Sequence, residues 1–310
     1  MKTTAADLSA SVLAVPPLAR RADLSLDVEA NRALVRHLEA GGVRTLMYGG
    51  NANFYHLAVS EYAAVLDCIE EIAGAATWVI PSAGADYGKL MDQAAILRGR
   101  RFPTAMALPF GSPSNDSGVA TALRRFSDAL GKPVIAYVKA QGYLEPATLG
   151  ALARDGVVCA IKYAIVREDP SRDAYLDALL QEVERDIVVS GIGERPAIAH
   201  LRDFGLKSFT SGSVCVAPRG SMRILALLKE QRYAEAQALR AAYLPLEDLR
   251  DAYGPIRVLH DAVTLAGIAD MGPMLPMIAN LGGGERASVE AAAKALLEHD
   301  RSLASRPVAA

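Results

Sequence analysis

The sequence is short of several residues on which whole classes of protein depend. Cysteine occurs three times, at Cys68, Cys159 and Cys215. An odd number of widely spaced cysteines in apolar surroundings argues against a disulfide framework and for buried thiols in a reducing compartment. The five histidines are scattered, and there is no HExxH, no Cys/His pairing at metal-ligand spacing and no phosphate loop of the Walker type. No metal and no other cofactor is therefore expected. Charge of one sign is also missing, because 33 basic residues face 35 acidic ones for a net charge of -2. Without a basic stripe, a nucleic-acid partner is not expected. Long apolar runs are absent as well. Ser11 to Pro17, which lies between Lys2 and the pair Arg20 and Arg21, is too short for a signal-peptide core or a membrane span. The expectation is a cytoplasmic protein with no membrane partner.

What the chain does have is apolar mass in a regular order. A hydrophobic content of 51% over 310 residues suffices for one large α/β barrel or two ordinary domains. Short apolar, β-branched or small-residue runs recur at Ser11–Val15, Thr45–Tyr48, Thr77–Pro81, Thr104–Leu108, Pro133–Tyr137, Val157–Lys162, Ile187–Ser190 and Lys207–Thr210. Helical periodicity fills the intervals, as in Asp27–Ala40, Ser60–Ala73, Tyr87–Arg98, Asp116–Leu130 and Ala174–Glu184. Alternation of this kind predicts parallel strands with crossover helices, and eight such strands favour a closed (β/α)8 TIM barrel over an open sheet. After the eighth strand only helical stretches follow, over Met222–Glu230, Ala234–Ala242, Pro255–Leu265 and Ala287–His299. The expected organisation is a catalytic barrel over residues 1–221 and a helical extension over 222–310 packed on it, with no low-complexity linker between them.

Chemistry in such barrels collects at the C-terminal strand ends. The strongest candidate is Lys162, which closes the apolar run Val157, Val158, Cys159, Ala160, Ile161. Only 8 of the 33 basic residues are lysine, so lysine is not this chain's default cation. A desolvated lysine has a lowered pKa and a populated neutral amine, which attack on a ketone carbonyl requires. The plain structural reading is a lysine snorkelling to the rim or neutralising a carboxylate, and the residues alone leave both open. Tyr137 closes strand five in the same manner, either as a phenol able to relay protons or as an aromatic lid. Lys139 reads as a loop lysine within reach of a substrate carboxylate.

Strand two ends in Gly49, Gly50, Asn51, Ala52, Asn53, which is either an ordinary turn or a loop whose amides hold a carboxylate. Phe54, Tyr55 and His56 read as a seal over the following helix. Gly191 and Gly193 mimic part of a dinucleotide fingerprint, but Arg195 and Pro196 occupy the place of its third glycine. Thr210, Ser211, Gly212 and Ser213 form a small polar rim that either contacts substrate or turns the chain.

Taken together, these residues resemble the family of dihydrodipicolinate synthase and N-acetylneuraminate lyase, Schiff-base aldolases and dehydratases of 2-oxo acids. The landmarks are Val15, Pro16 and Pro17; Gly49 to Asn53; Leu108, Pro109 and Phe110; Pro133 to Tyr137; Ile161 and Lys162; Ser190 and Gly191; and Val216, Ala217 and Pro218. They run nearly end to end in matching order and spacing. The resemblance implies that Lys162 forms the Schiff base, that Tyr137 relays protons and that Gly50 with Asn51 holds the oxo acid's carboxylate. Gly191 and Ser211 join them as candidate substrate contacts. It also implies a homo-oligomer, dimer or tetramer, and a small 2-oxo acid substrate, pyruvate or sugar-derived.

The departures bear on the reaction. The family's loop carries two adjacent hydroxyl residues followed by Gly-Glu, whereas this chain has Gly50, Asn51, Ala52, Asn53. In the synthases an arginine follows the catalytic tyrosine by five residues and an interface tyrosine crosses between subunits. Those places are Gly142 and Gly111 here. Both losses argue against condensation of pyruvate with aspartate semialdehyde. The run from Gly49 to Leu57 instead resembles the form found in sugar-acid dehydratases of the family. The expectation is a lyase, either aldolase or dehydratase. The alternatives are a non-catalytic barrel that binds a small 2-oxo acid, motivated by the altered loop, and a phosphate-binding isomerase barrel, which lacks the Gly-rich loop it needs after strands seven and eight.

Overall fold

The computed structural model describes residues 3–304; Lys2 and the ends of both expected segments, residues 1–2 and 305–310, lie outside the described residues. In chain order the elements are α1 (Ala5–Ser9), β1 (Leu13–Ala14), α2 (Val28–Ala40), β2 (Thr45–Tyr48), α3 (Val59–Ile72), β3 (Trp78–Ala83), α4 (Tyr87–Leu97), β4 (Met106–Ala107), α5 (Asp116–Leu130), β5 (Val134–Val138), α6 (Pro146–Arg154), β6 (Val158–Tyr163), α7 (Ala174–Glu182), β7 (Val188–Ser190), α8 (Glu194–Asp203), β8 (Thr210–Ser211), α9 (Pro218–Lys229), α10 (Tyr233–Arg240), α11 (Leu244–Tyr253), α12 (Pro255–Leu265) and α13 (Gly283–Ala304).

The eight strands are parallel and follow one another around a (β/α)8 TIM barrel, with β1 paired to both β2 and β8. The seam between β7 and β8 is the loosest. It is a single bridge, Ser190 to Phe209, reinforced by Ser190 N–H donating to Ser208 O at 3.1 Å and Gly193 N–H to Thr210 O at 3.0 Å. Strand eight therefore lies slightly later than the apolar run Lys207–Thr210 suggests, at Thr210–Ser211. The reason is local: Phe209 spends its register on β7, while Thr210 and Ser211 pair with Leu13 and Ala14.

Polar residues at the helix starts mark where each strand hands over to a helix. Asp27, Asp86, Asn115 and Asp173 cap α2, α4, α5 and α7, each accepting a backbone N–H three residues on at 2.9 to 3.1 Å. The sequence boundary at 221/222 falls inside α9, the eighth helix of the β/α alternation. We propose that the barrel unit ends with α9 and that α10 to α13 form the extension. These helices matter to the site because α11 and α12 reach the barrel mouth, and α12 packs against the turn after β2. Among the described residues no helix is long and apolar enough to cross a membrane. Cys68 and Cys215 are buried, Cys159 is half-buried, and all three are free thiols.

Candidate functional site

Lys162 owes its position to an irregularity. Strands β5 and β6 start in register with Val134 opposite Val158, but the next pair is Ile135 with Ala160, so Cys159 is an extra residue in β6. A one-residue shift of register reverses which face each side chain occupies relative to its neighbour. Without the bulge Lys162 would stand opposite Val138. With it Lys162 stands opposite Tyr137, and both side chains leave the sheet on the same side. Cys159 fits the bulge by turning its thiol onto Val134 O, 3.5 Å away.

The lysine is 6% exposed. Its Nζ lies 4.3 Å from the centroid of the Tyr137 ring, so it meets the π face, and no hydrogen bond or ion pair from it to another described residue is present. Burial pushes its pKa down to about 7, and the charge of Lys139 adds to the effect. Near neutral pH a large fraction is free amine. Burial likewise raises the Tyr137 phenol to about 12, so Tyr137 is a neutral O–H across the physiological range.

Both residues open onto a cavity of about 470 Å³ at the C-terminal end of the barrel. It is walled by the loop after β2 (Gly50, Asn51, Tyr55), the ends of β7 and β8 (Gly191 to Gly193, Thr210, Gly212), and Arg250, Asp251, Ile256 and Leu259 from α11 and α12. The loop after β2 is a 3-10 turn over Gly50–Ala52. Its internal hydrogen bonds use the N–H groups of Ala52, Asn53 and Phe54, leaving those of Gly50 and Asn51 at the open end of the turn. The Asn51 side chain is spoken for, since Nδ2 donates to Val15 O at 2.9 Å. Gly191 lets β7 end against β6: its N–H donates to Tyr163 O at 2.6 Å, and a Cβ there would fall 2.6 Å from that same oxygen.

Of the residues singled out in the sequence, Lys162, Tyr137, Gly50, Asn51 and Gly191 thus converge on one cavity, together with Lys139. Ser211 does not line it. Its Oγ accepts from Val214 N–H at 2.9 Å, and it lies beside the buried Glu194 behind the wall, whose pKa it lowers. Several lining residues are unmarked in the sequence, and three of them carry polar groups. Tyr55, taken there as a seal, stands between the Lys162 cavity and a neighbouring one. Arg250 and Asp251 come from a helix far along the chain with no motif to mark it; Arg250 Nη1 donates to Ile192 O at 2.9 Å and its Nη2 lies 3.1 Å from Asp251 Oδ1. Among the described residues no group of three or more His, Cys, Asp or Glu is placed to hold a metal ion.

No protein-family model matches the chain, and no curated protein does either. Solved structures do. Dihydrodipicolinate synthase from Bacillus clausii superposes with a TM-score of 0.83 at 20% identity, covering 94% of this chain and 99% of that one. The sialic acid aldolase of Ruminococcus gnavus, in a mutant of its catalytic lysine, gives 0.83 at 13% identity over 97% of this chain and 99% of its own. The 4-hydroxy-tetrahydrodipicolinate synthase of Methylacidiphilum fumariolicum SolV gives 0.80 at 14% identity, covering 95% and 98%. At such identities the likeness establishes the fold, and these neighbours are of the kinds named by the family that the sequence resembles.

Proposed function

We propose that this protein is a lyase that binds a 2-oxo acid as a Schiff base on Lys162. The observation that carries the reading is the Lys162 amine itself, buried at the wall of a cavity, without a counter-ion among the described residues, and shifted to about 7. A structural lysine at a barrel rim would keep its charge in water or on a carboxylate, and neither describes Lys162. The fold neighbour whose catalytic lysine is named supports the same reading.

In this reading the Lys162 lone pair attacks C2 of the oxo acid, and the carbinolamine loses water to give a protonated imine. Tyr137, whose phenol keeps its proton, passes protons to and from the departing oxygen. The amides of Gly50 and Asn51 hold the C1 carboxylate, and the backbone at Gly191 lies along the chain of the substrate. The imine is an electron sink. Cleavage of the C3–C4 bond, as the C4 hydroxyl gives up its proton, sends the bond's electrons to the imine nitrogen and releases C4 as an aldehyde. The resulting enamine takes a proton at C3, and hydrolysis frees pyruvate and the lysine. The dehydratase version starts from the same protonated imine: loss of a C3 proton gives an enamine that still carries C4, and this expels the C4 hydroxyl, protonated, as water. Glycines at positions 111 and 142 provide no side-chain cation or phenol for a semialdehyde partner, which keeps the reading on the side of cleavage or dehydration. We further propose a homo-oligomer, on the strength of the sequence resemblance. Ser211 enters as an indirect support of the wall through Glu194.

Incubation with pyruvate and borohydride, followed by peptide mapping, tests the proposal. A reduced pyruvyl group on Lys162 alone is the expected result. Label on another lysine, or none with any 2-oxo acid, would overturn it.

A further inference from the structure

The register that brings Lys162 beside Tyr137 has no support from the strand's own pattern. Val157 to Ile161 is apolar throughout, and a strand without alternation fits its neighbours nearly as well one residue along. Backbone hydrogen bonds do not settle the matter. Ala164 N–H donates to Val138 O at 2.8 Å and Gly191 N–H to Tyr163 O at 2.6 Å, but a parallel ladder offers the same kinds of donor and acceptor in any register. The strand closes on two polar groups, Lys162 and Tyr163, which as neighbours point to opposite faces. The lysine faces the cavity. Tyr163 faces the helix layer, where it is fully buried.

There the Tyr163 hydroxyl donates to Oδ2 of Asp173, the N-cap of α7. This carboxylate has no freedom to follow a moving strand. Its Oδ1 accepts from Tyr175 N–H and Leu176 N–H at 3.1 Å each and from Arg167 Nη2 at 3.0 Å, and Arg167 is in turn tied to Gln141 Oε1 at 2.9 Å in the loop after β5. Burial works to raise the Asp173 carboxyl, but the bonds from Arg167 and Tyr163 outweigh it and hold the group below its ordinary range. The phenol therefore meets an anion, and a charge-assisted bond of this kind is roughly twice as strong as a neutral one. Loss of the bulge at Cys159 would turn Tyr163 to the opposite face and leave the buried Oδ2 without its donor.

We propose that Tyr163 and Asp173 are positioning residues for the reaction on Lys162: the bond between them locks the end of β6 from outside the barrel, and so keeps the bulge at Cys159 and the lysine's place over the Tyr137 ring. Neither residue lines the cavity, so their effect on Lys162 passes through the strand. The proposal rests on the Schiff-base reading for the chemistry, while the lock itself is a property of the fold.

Tyr163→Phe removes the hydroxyl and keeps the ring between Tyr175 and His200, whose ring centroids lie 6.0 and 5.9 Å from its own. Tyr175→Phe is the control, since it removes a buried hydroxyl of the same cluster, bonded to Leu144 O, and leaves β6 alone. The ionisable groups around Lys162, namely Tyr55, Tyr137, Lys139, Arg250 and Asp251, are the same in both variants. The pH dependence of Lys162 acetylation by acetic anhydride, read by peptide mapping, gives the midpoint of the amine without any imine. In Tyr163→Phe the end of β6 is unpinned and water reaches the amine. The midpoint should then rise from about 7 by about one pH unit toward the ordinary lysine value of about 10.4, and borohydride trapping with subsaturating pyruvate at pH 7 should slow about tenfold with it. Tyr175→Phe should lose comparable thermal stability with the midpoint unmoved. Asp173→Asn keeps Oδ1 for the α7 cap and replaces the phenol's acceptor with a donor, so it should repeat the result of Tyr163→Phe and carries the test should that variant not fold. A midpoint that fails to rise when the bond is removed, or that rises equally in Tyr175→Phe, would overturn the proposal. A shifted midpoint with no trapping in the unaltered protein would refute the Schiff base and leave the lock standing.

Discussion

Two clusters of buried ionisable groups stand on either side of one wall of the barrel mouth, and they have opposite fates. On one side Lys162, 6% exposed, faces a cavity of about 470 Å³. On the other, Glu194 and Glu247 are fully buried among Ser221, Tyr243 and Arg250. Arg250 belongs to both sides. It lines the cavity, and its Nη1 lies 3.5 Å from Glu247 Oε1. Burial displaces the acids as well as the lysine. It raises Glu194, and it lifts Glu247, with help from the charge of Glu194, to about 7. Perturbed titration therefore does not distinguish a reacting group from a structural one. Space does: the lysine has room in front of it for a substrate, and the carboxylates are enclosed by side chains on every side the structure describes.

The sharpest way to break this comparison is to remove the amine. Lys162→Met should abolish pyruvate trapping and reduce turnover to background, while making the fold more stable. The sign follows from linkage. The folded pKa of about 7 lies below the unfolded value of about 10.4, so the unfolded chain binds more protons between those limits and stability rises with pH across that window. The methionine variant should therefore melt higher than the unaltered protein at pH 6, by the equivalent of a few kcal/mol, with the advantage gone by about pH 10. A variant that melts lower at pH 6 would mean that the lysine is charged and paired.

A smaller effect separates the two sides of Tyr137. Its ring face supports the lysine at 4.3 Å, and its hydroxyl is the proposed relay. Tyr137→Phe keeps the first and removes the second. Turnover should fall by about 10²- to 10⁴-fold, with the fraction of Lys162 that borohydride traps at saturating pyruvate little changed. Near-normal turnover would assign Tyr137 to packing alone.

These two residues were legible in the sequence because each ends an apolar run, and a polar group at the end of a buried strand has few structural excuses. The strand cores were legible for the same reason. What brings Lys162 and Tyr137 side by side was not. Val157 to Ile161 is apolar at every position, as a strand buried on both faces is, so it carries no alternation from which the bulge at Cys159 could be read. Arg250 and Asp251 were hidden because their place at the mouth depends on how α11 folds back onto the turn after β7, where Arg250 bonds Ile192 O, a tertiary fact with no local signature. Ser211 failed as a cavity residue for a related reason. In a strand of two residues the alternation between cavity and wall is set by β1, and it gives Thr210 and Gly212 to the cavity and Ser211 to Glu194.

The smallest effect belongs to the enclosed acids, and it tests whether they are structural. Glu194 Oε1 accepts from Ser221 Oγ at 2.5 Å, while its Oε2 is buried with no hydrogen-bond partner among the described residues. A carboxylate in that setting is better accommodated as the protonated acid, which is why burial raises its pKa. A raised folded pKa means that the folded state holds the proton longer than the unfolded chain does. Stability must then decline as pH climbs from the unfolded carboxylate value of about 4.3 toward the folded one. Glu194→Gln keeps an acceptor for Ser221 and removes the titration, so it should flatten this decline. Thermal unfolding from pH 5 to pH 8 should show the variant gaining on the unaltered protein as pH rises. Turnover should stay within about threefold, because the wall of the cavity is unchanged. A loss of turnover comparable to that of Tyr137→Phe, with the stability profile unmoved, would place Glu194 with the reacting groups and erase the distinction between the two sides of the wall.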